Sequence, residues 1–200
     1  MPQKPAEMPE GRSRAPLGLV AGVDEAGRGP IAGPVAAAAV ILPRNFPMEI
    51  LDDSKALTRR RREEAALIIR EKALSWGIGW ATHEEIDRLN ILQATLLAMT
   101  RAIDVMSVKP ERILVDGLFC PACGISATPV VHGDSIVAEI MAASILAKTA
   151  RDAWMEEYAL QEPEYLFEKH KGYPTAEHRS IVLRLGPSRI QRMSFRVTSP

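Results

Sequence analysis

The chain has 200 residues, 46% of them hydrophobic, which suits one domain with a buried core and excludes a disordered or fibrous chain. Lys plus Arg and Asp plus Glu total 25 each, so no global field draws the chain onto nucleic acid, and any such contact must come from a local patch. Two cysteines exclude a disulfide framework and no apolar stretch is long enough for a membrane span, so the expectation is a cytoplasmic protein with no membrane attachment, and a monomer.

Met1 to Pro16 carries four prolines and scattered charges without the apolar middle of a secretory signal; it reads as a disordered extension ahead of one domain over residues 17–200. Leu17 to Val23 is an apolar run ending at Asp24-Glu25, Gly27 and Gly29 permit a turn, and Val35 to Leu42 is a second apolar run closed by Pro43. Two paired strands with a bend between them fit this order. Side chains alternate along a strand, so Asp24 and Glu25 share a site only if the strand ends or twists there, which Gly27 makes easy. Thr58 is placed to cap a helix reaching about Ser75, with apolar positions at Ala65, Leu67, Ile68 and Leu74. Arg59 to Arg62 oppose the dipole of that helix; they are either a solvated face or contacts for an anionic partner. Trp76 to Ala81 predicts a third strand, and Asn90 caps an apolar helix from Ile91 to about Met106. Arg112 to Val115 and Thr128 to Val131 are two further β-rich runs. From Ser135 to about Glu157 the pattern is helical, and a last helix runs from about Thr175 to Leu185. The fold class is therefore α/β: a mixed sheet with helices on its faces and a helical region from about residue 155.

Three of the apolar runs end in acids: Val23 leads into Asp24-Glu25, Val115 into Asp116, and Val131-His132-Gly133 into Asp134. Residues at strand ends of α/β sheets converge on one edge, where ligands are commonly bound. Singly, such acids are ordinary turn formers. Together they would repel one another unless a cation neutralised them. Oxygen ligands without Cys or His point to Mg²⁺ or Mn²⁺ rather than zinc, and a pair of such ions is the usual device for hydrolysing phosphodiesters.

The string Gly22-Val23-Asp24-Glu25-Ala26-Gly27-Arg28-Gly29-Pro30 resembles the opening signature of the ribonuclease HII family. Asp53-Ser54-Lys55, Leu89-Asn90-Ile91, Val115-Asp116-Gly117, Gly133-Asp134-Ser135, Ala142 to Lys148, Arg151-Asp152 and Lys171-Gly172-Tyr173-Pro174-Thr175 are similar to its later motifs in the same order, so the resemblance runs from about Leu17 to Phe195. It implies a ribonuclease H-like fold with a helical C-terminal extension and a metal site of Asp24, Glu25, Asp116 and Asp134. Its further implication is an endonuclease that hydrolyses RNA in RNA–DNA hybrids and cuts 5′ of single ribonucleotides in duplex DNA, leaving 3′-hydroxyl and 5′-phosphate ends. Gly27, Arg28, Gly29 and Tyr173 would read the ribonucleotide, and Lys55 would contact phosphate. Glycines let backbone groups approach a 2′-hydroxyl, and a tyrosine can stack on the next nucleotide. Ala56 and His132 stand where the family often carries lysine, and Gln191 to Phe195 only partly resembles its terminal basic motif.

Ser144, Lys148 and Arg151 fall at i, i+4 and i+7, one helix face that could present a polar stripe to the site or to a duplex backbone; alternatively Lys148 simply pairs with Asp152. Among the four histidines, His178 is expected to lie nearest the substrate. Cys120 and Cys123 could be half a zinc site or a redox pair, with an incidental role the default. Two rival functions stand beside the nuclease. Gly27 to Ala32 fits the glycine pattern of a dinucleotide-binding turn, with Asp52 and Asp53 downstream, although Pro30 and Pro34 interrupt the helix that pattern needs. A non-catalytic module would use Arg59 to Arg62 on nucleic acid, salt-sensitively and without hydrolysis.

Overall fold

In the computed structural model, which describes residues 18–51 and 58–198, one mixed five-stranded sheet carries helices on both faces. The N-terminal extension and the Asp53-Ser54-Lys55 motif lie outside the described residues. β1 (Val20–Ala26) pairs antiparallel with β2 (Val35–Ile41), which pairs antiparallel with β3 (Ser75–Ala81). On the other side of β1 lie β4 (Arg112–Asp116) and β5 (Ser126–Val130), both parallel, in the order β3-β2-β1-β4-β5. Parallel pairing of β1 with β4 needs a crossover. It is supplied by α1 (Arg59–Lys72), α2 (His83–Leu89) and α3 (Ile91–Asp104) together with β2 and β3. Pro129 sits in edge strand β5, where a missing N–H is tolerated.

The sequence of β2 explains how both faces can be covered closely. Val35, Ala37, Ala39 and Ile41 pack into one cluster with α3, whereas Ala38 and Val40 pack into a second with α1 and α5 (Ala138–Ala159), the period-two alternation of a strand buried on both sides. Small residues let the helices approach: a Cβ at Gly22 would meet the Glu139 backbone of α5 at 2.0 Å, and one at Gly79 would meet the Ala98 carbonyl of α3 at 2.1 Å. A third cluster holds Met155, Tyr158, Tyr165, Phe167 and Ile181. It joins the end of α5 to α6 (Phe167–His170) and α7 (Ala176–Leu185), the helical C-terminal region.

The caps at Thr58, Asn90 and Thr175 are present, each side chain accepting from the backbone N–H three residues on. Four details differ from expectation. α1 ends at Lys72 and buries Ala65, Ala66 and Ile69, while Leu67 and Leu74 are exposed. α2 was not anticipated, although Thr82 and Glu85 form a complete capping box that the Thr-x-x-Glu spacing spells out. The helical stretch after Ser135 is broken at the extended Val137, which separates α4 (Gly133–Ile136) from α5. Finally, β1 does not end at Asp24-Glu25; it stays paired with β2 through Ala26.

Candidate active site

The two acids of β1 obey the pleat. Val23 packs toward α3 and Asp24 points the other way, where its carboxylate is hydrogen-bonded by Ser144 of α5; Glu25 returns to the α3 side, near Thr95 and Leu96. Both reach one pocket because the sheet is notched there. Pairing of β1 with β4 stops at Val23 opposite Val115, so Asp24 and Glu25 lie along an edge that β4 no longer covers. Asp116 closes β4 at that level, and Asp134, in the first turn of α4, follows β5; its N–H donates to Asp116 Oδ1 at 3.3 Å. A pocket of about 500 Å³ results. All four carboxylates line it, with Gly27, Arg28, Gly29, Ser144, Lys148 and Tyr173, and also Arg62.

The pocket is electrostatically strained. Burial, then the charge of Glu25, then that of Asp116 hold the Asp24 carboxyl well above the usual range, despite hydrogen bonds from the Glu25 N–H (2.7 Å) and Ser144. Glu25 is also raised by burial, partly offset by Arg28 at 3.4 Å. Among the described residues no three His, Cys, Asp or Glu groups converge closely enough to hold one ion. The fit to a cation therefore rests on the four carboxylates around one pocket and on the unfavourable ionisation of the buried Asp24. A hard-oxygen donor set of this kind suits Mg²⁺ or Mn²⁺.

In the same pocket, Lys148 bonds Asp152 at 2.7 Å, and its ammonium lies 5.6 Å from the centre of the Tyr173 ring. Lys148 pairs along the helix and also lines the pocket. Arg62 shares Asp152 at 3.6 Å, whereas Arg59 and Arg60 pair with Glu63 and Glu64 one helical turn on, the solvated face. Two expectations fail. Arg151 does not face a duplex but is fully buried, bonded to backbone carbonyls of Ala32, Pro34 and Lys171. His178 is also fully buried, stacked on His170 at 4.1 Å, with Nδ1 at 2.9 Å from the Tyr173 carbonyl. It supports the backbone of Tyr173 from behind. The glycines differ in what they do. Gly27 has φ +102° and its Cβ would strike Arg151 Nε at 2.0 Å, whereas a Cβ at Gly29 would have only Tyr173 Cε1 at an ordinary 3.7 Å. The protein itself does not require glycine at position 29.

The dinucleotide reading is excluded, because Gly27 to Ala32 leads into the antiparallel strand β2 and not into a helix. Cys120 and Cys123 are free and half-buried against the α3-side core, away from any histidine cluster. No helix of the described residues is long and apolar enough to cross a membrane.

A mixed sheet in this strand order, with helices on both faces and a helical C-terminal region, is the ribonuclease H-like fold. The sequence model of ribonuclease HII matches residues 21–198, and the chain belongs to that family of ribonuclease H-type endonucleases. It is 56% identical over 180 residues to the ribonuclease HII of Dechloromonas aromatica, covering 90% of this chain and 92% of that relative. Among solved structures it is similar to the ribonuclease H2 of Pyrococcus horikoshii, with TM-score 0.73 and 24% identity over 89% of this chain and 94% of the other. It is also similar to Bst-RNase HIII in complex with Mn²⁺, with TM-score 0.65 and 18% identity over 88% and 67% of the two chains.

Proposed function

We propose that the chain is a divalent-metal-dependent endonuclease that hydrolyses RNA in RNA–DNA hybrids and cuts on the 5′ side of single ribonucleotides in duplex DNA. The products would carry 3′-hydroxyl and 5′-phosphate ends. The observation that carries this reading is one pocket lined by Asp24, Glu25, Asp116 and Asp134 together with Gly27, Arg28, Gly29, Lys148 and Tyr173. In this reading the four carboxylates hold one or two Mg²⁺ or Mn²⁺ ions, which supply an activated water and neutralise charge on the leaving oxygen. A Mn²⁺ complex of Bst-RNase HIII, a fold neighbour, supports that choice of cation.

The remaining residues bind and orient. Ser144 holds the Asp24 carboxylate through its hydroxyl. Gly29 leaves room for a sugar to approach the backbone, where the 2′-hydroxyl is the group that separates RNA from DNA. Tyr173, 38% exposed, offers a ring face on which a neighbouring nucleotide can stack, and Lys148 and Arg62 offer positive charge to the phosphates. Lys55 is assigned a phosphate contact on the sequence motif alone.

The test is cleavage of a labelled DNA duplex containing one ribonucleotide, with Mg²⁺ or Mn²⁺ and with chelator. Metal-dependent cutting immediately 5′ of the ribonucleotide is expected. Cleavage that persists in chelator would overturn the mechanism, and indifference to the ribonucleotide would overturn the substrate assignment.

A further inference from the structure

Two guanidinium groups lie entirely inside the protein beneath the Gly27–Pro34 loop, and neither makes an ion pair with a carboxylate among the described residues. Arg192 donates from Nη2 to the carbonyls of Gly27 (2.7 Å) and Pro34 (3.2 Å), from Nη1 to Pro30 (2.7 Å) and Arg28 (3.1 Å), and from Nε to Gly33 (2.8 Å). A guanidinium has five N–H donors in a planar fork, and each of these has its own carbonyl. Arg151 takes Pro34 again (2.9 Å) and Ala32 (3.2 Å), and extends to the Lys171 carbonyl (3.0 Å), two residues before Tyr173. Ladder-like backbone bonds close the arrangement: Arg192 N–H to the Ile31 carbonyl and Gly33 N–H to the Ile190 carbonyl, both 2.9 Å.

This grip has a geometric consequence on the opposite side of the loop. A peptide group is planar and trans, so a carbonyl drawn inward sends the following N–H outward. The Gly27 and Arg28 carbonyls point to Arg192, hence the N–H groups of Arg28 and Gly29 face away from it, on the side where both residues line the pocket. Neither N–H has a protein partner among the described residues. A buried positive charge bonded to the carbonyl oxygens also polarises those peptides and makes their N–H groups better donors.

We propose that Arg192, backed by Arg151, is the positioning residue that aims the N–H groups of Arg28 and Gly29 at the 2′-hydroxyl of a bound ribonucleotide, so that the distinction between RNA and DNA depends on a side chain remote from the substrate. This rests on the reading that the pocket takes a ribonucleotide. Lysine at position 192 keeps the charge but brings only three donors from a single nitrogen, so at least one of the four carbonyls that Arg192 alone holds loses its partner and the planar grip on the Gly27 and Arg28 peptides is lost.

Binding is measured in chelator, where no strand is cut, as the ratio of affinities for a duplex with one ribonucleotide and for the same duplex in all-DNA form. Arg192→Lys should lower that ratio by about tenfold or more, the scale of a small misplacement at a recognition site, while affinity for the all-DNA duplex stays near wild type. A folded variant that keeps the full ratio overturns the proposal. Wild-type protein with no preference for the ribonucleotide would overturn the functional reading as well, a distinct result. The wild-type chain provides a second measurement independent of any folding defect. The backbone amide resonances of Arg28 and Gly29 should shift on adding the ribonucleotide duplex and not on adding the all-DNA one, and amides unmoved by both, with other pocket residues responding, refute the assignment.

Discussion

Alanine placed at Gly27 and at Gly29 makes the same chemical change two residues apart and should have opposite effects. At Gly27 the backbone has φ +102°, which costs a non-glycine residue about 1–3 kcal/mol. The added methyl would also sit 2.0 Å from Arg151 Nε and 2.4 Å from its Cδ, so the guanidinium must leave the carbonyls of Ala32, Pro34 and Lys171. Disturbing even one such charged hydrogen bond adds about 1.5–3 kcal/mol. The sum is about 3 kcal/mol or more, which for a domain of this size lowers the unfolding midpoint by roughly 6–12 °C. At Gly29 the φ is not left-handed and the new methyl meets only Tyr173 Cε1 at 3.7 Å. Relief of unfolded-state entropy then leaves stability unchanged or raised by up to about 1 kcal/mol. The pocket side of Gly29 is where the nucleotide must come close, and forcing a methyl into that contact costs about 1–3 kcal/mol of binding, roughly fivefold to 150-fold in affinity. Thermal unfolding and binding of a ribonucleotide duplex in chelator separate the two variants. If Gly29→Ala is as unstable as Gly27→Ala, or is stable and binds normally, the account of the loop is wrong.

Asp24→Asn should abolish cleavage yet raise the unfolding midpoint measured in chelator at neutral pH. The folded-state pKa of Asp24 is raised, so its ionisation opposes folding as pH climbs above the ordinary carboxylate range, and the amide removes that opposition; a lower midpoint for the variant would contradict the electrostatic reading. His170 is pressed down to about 4, first by burial and then by His178, which is itself lowered by burial. Because the folded value lies below the unfolded one, the stability of the neutral rings is complete above about pH 6.5 and is lost as pH falls toward 4, to the extent of roughly 3 kcal/mol for His170. Urea midpoints followed by tryptophan fluorescence should fall across that window, and a flat profile would mean that the buried rings are already charged. Arg62→Ala should weaken binding to any duplex and reduce the slope of log affinity against log salt by about one, because a phosphate contact carries no sequence or sugar information. An unchanged slope would return Arg62 to a structural partner of Asp152.

The elements that can be read from the chain are those whose cause is local. The unbroken apolar run Val35 to Ile41, the caps Thr58, Asn90 and Thr175, and an acid closing an apolar run at Asp24, Asp116 and Asp134 are each visible within a few residues. The same kind of local pattern stands at Thr82 and Glu85, whose capping box starts α2. What local pattern does not contain is the direction in which a charged side chain turns. Arg151 stands on the helix face of Ser144 and Lys148 by periodicity, and nothing within α5 reveals that a carbonyl-rich loop 117 residues earlier in the chain will take it inside. Arg192 is hidden for the same reason, since its partners are backbone oxygens, which have no residue type to recognise. The notch that lets Asp24 and Glu25 share a pocket is likewise a product of register: it exists because β4 pairs with β1 only as far as Val23, and a shift of one residue in that pairing would turn the alternation of β4 over and move Asp116 to the other face of the sheet. The acids were legible from composition and position, while their convergence and the shape of the loop facing them depend on contacts that only the fold creates.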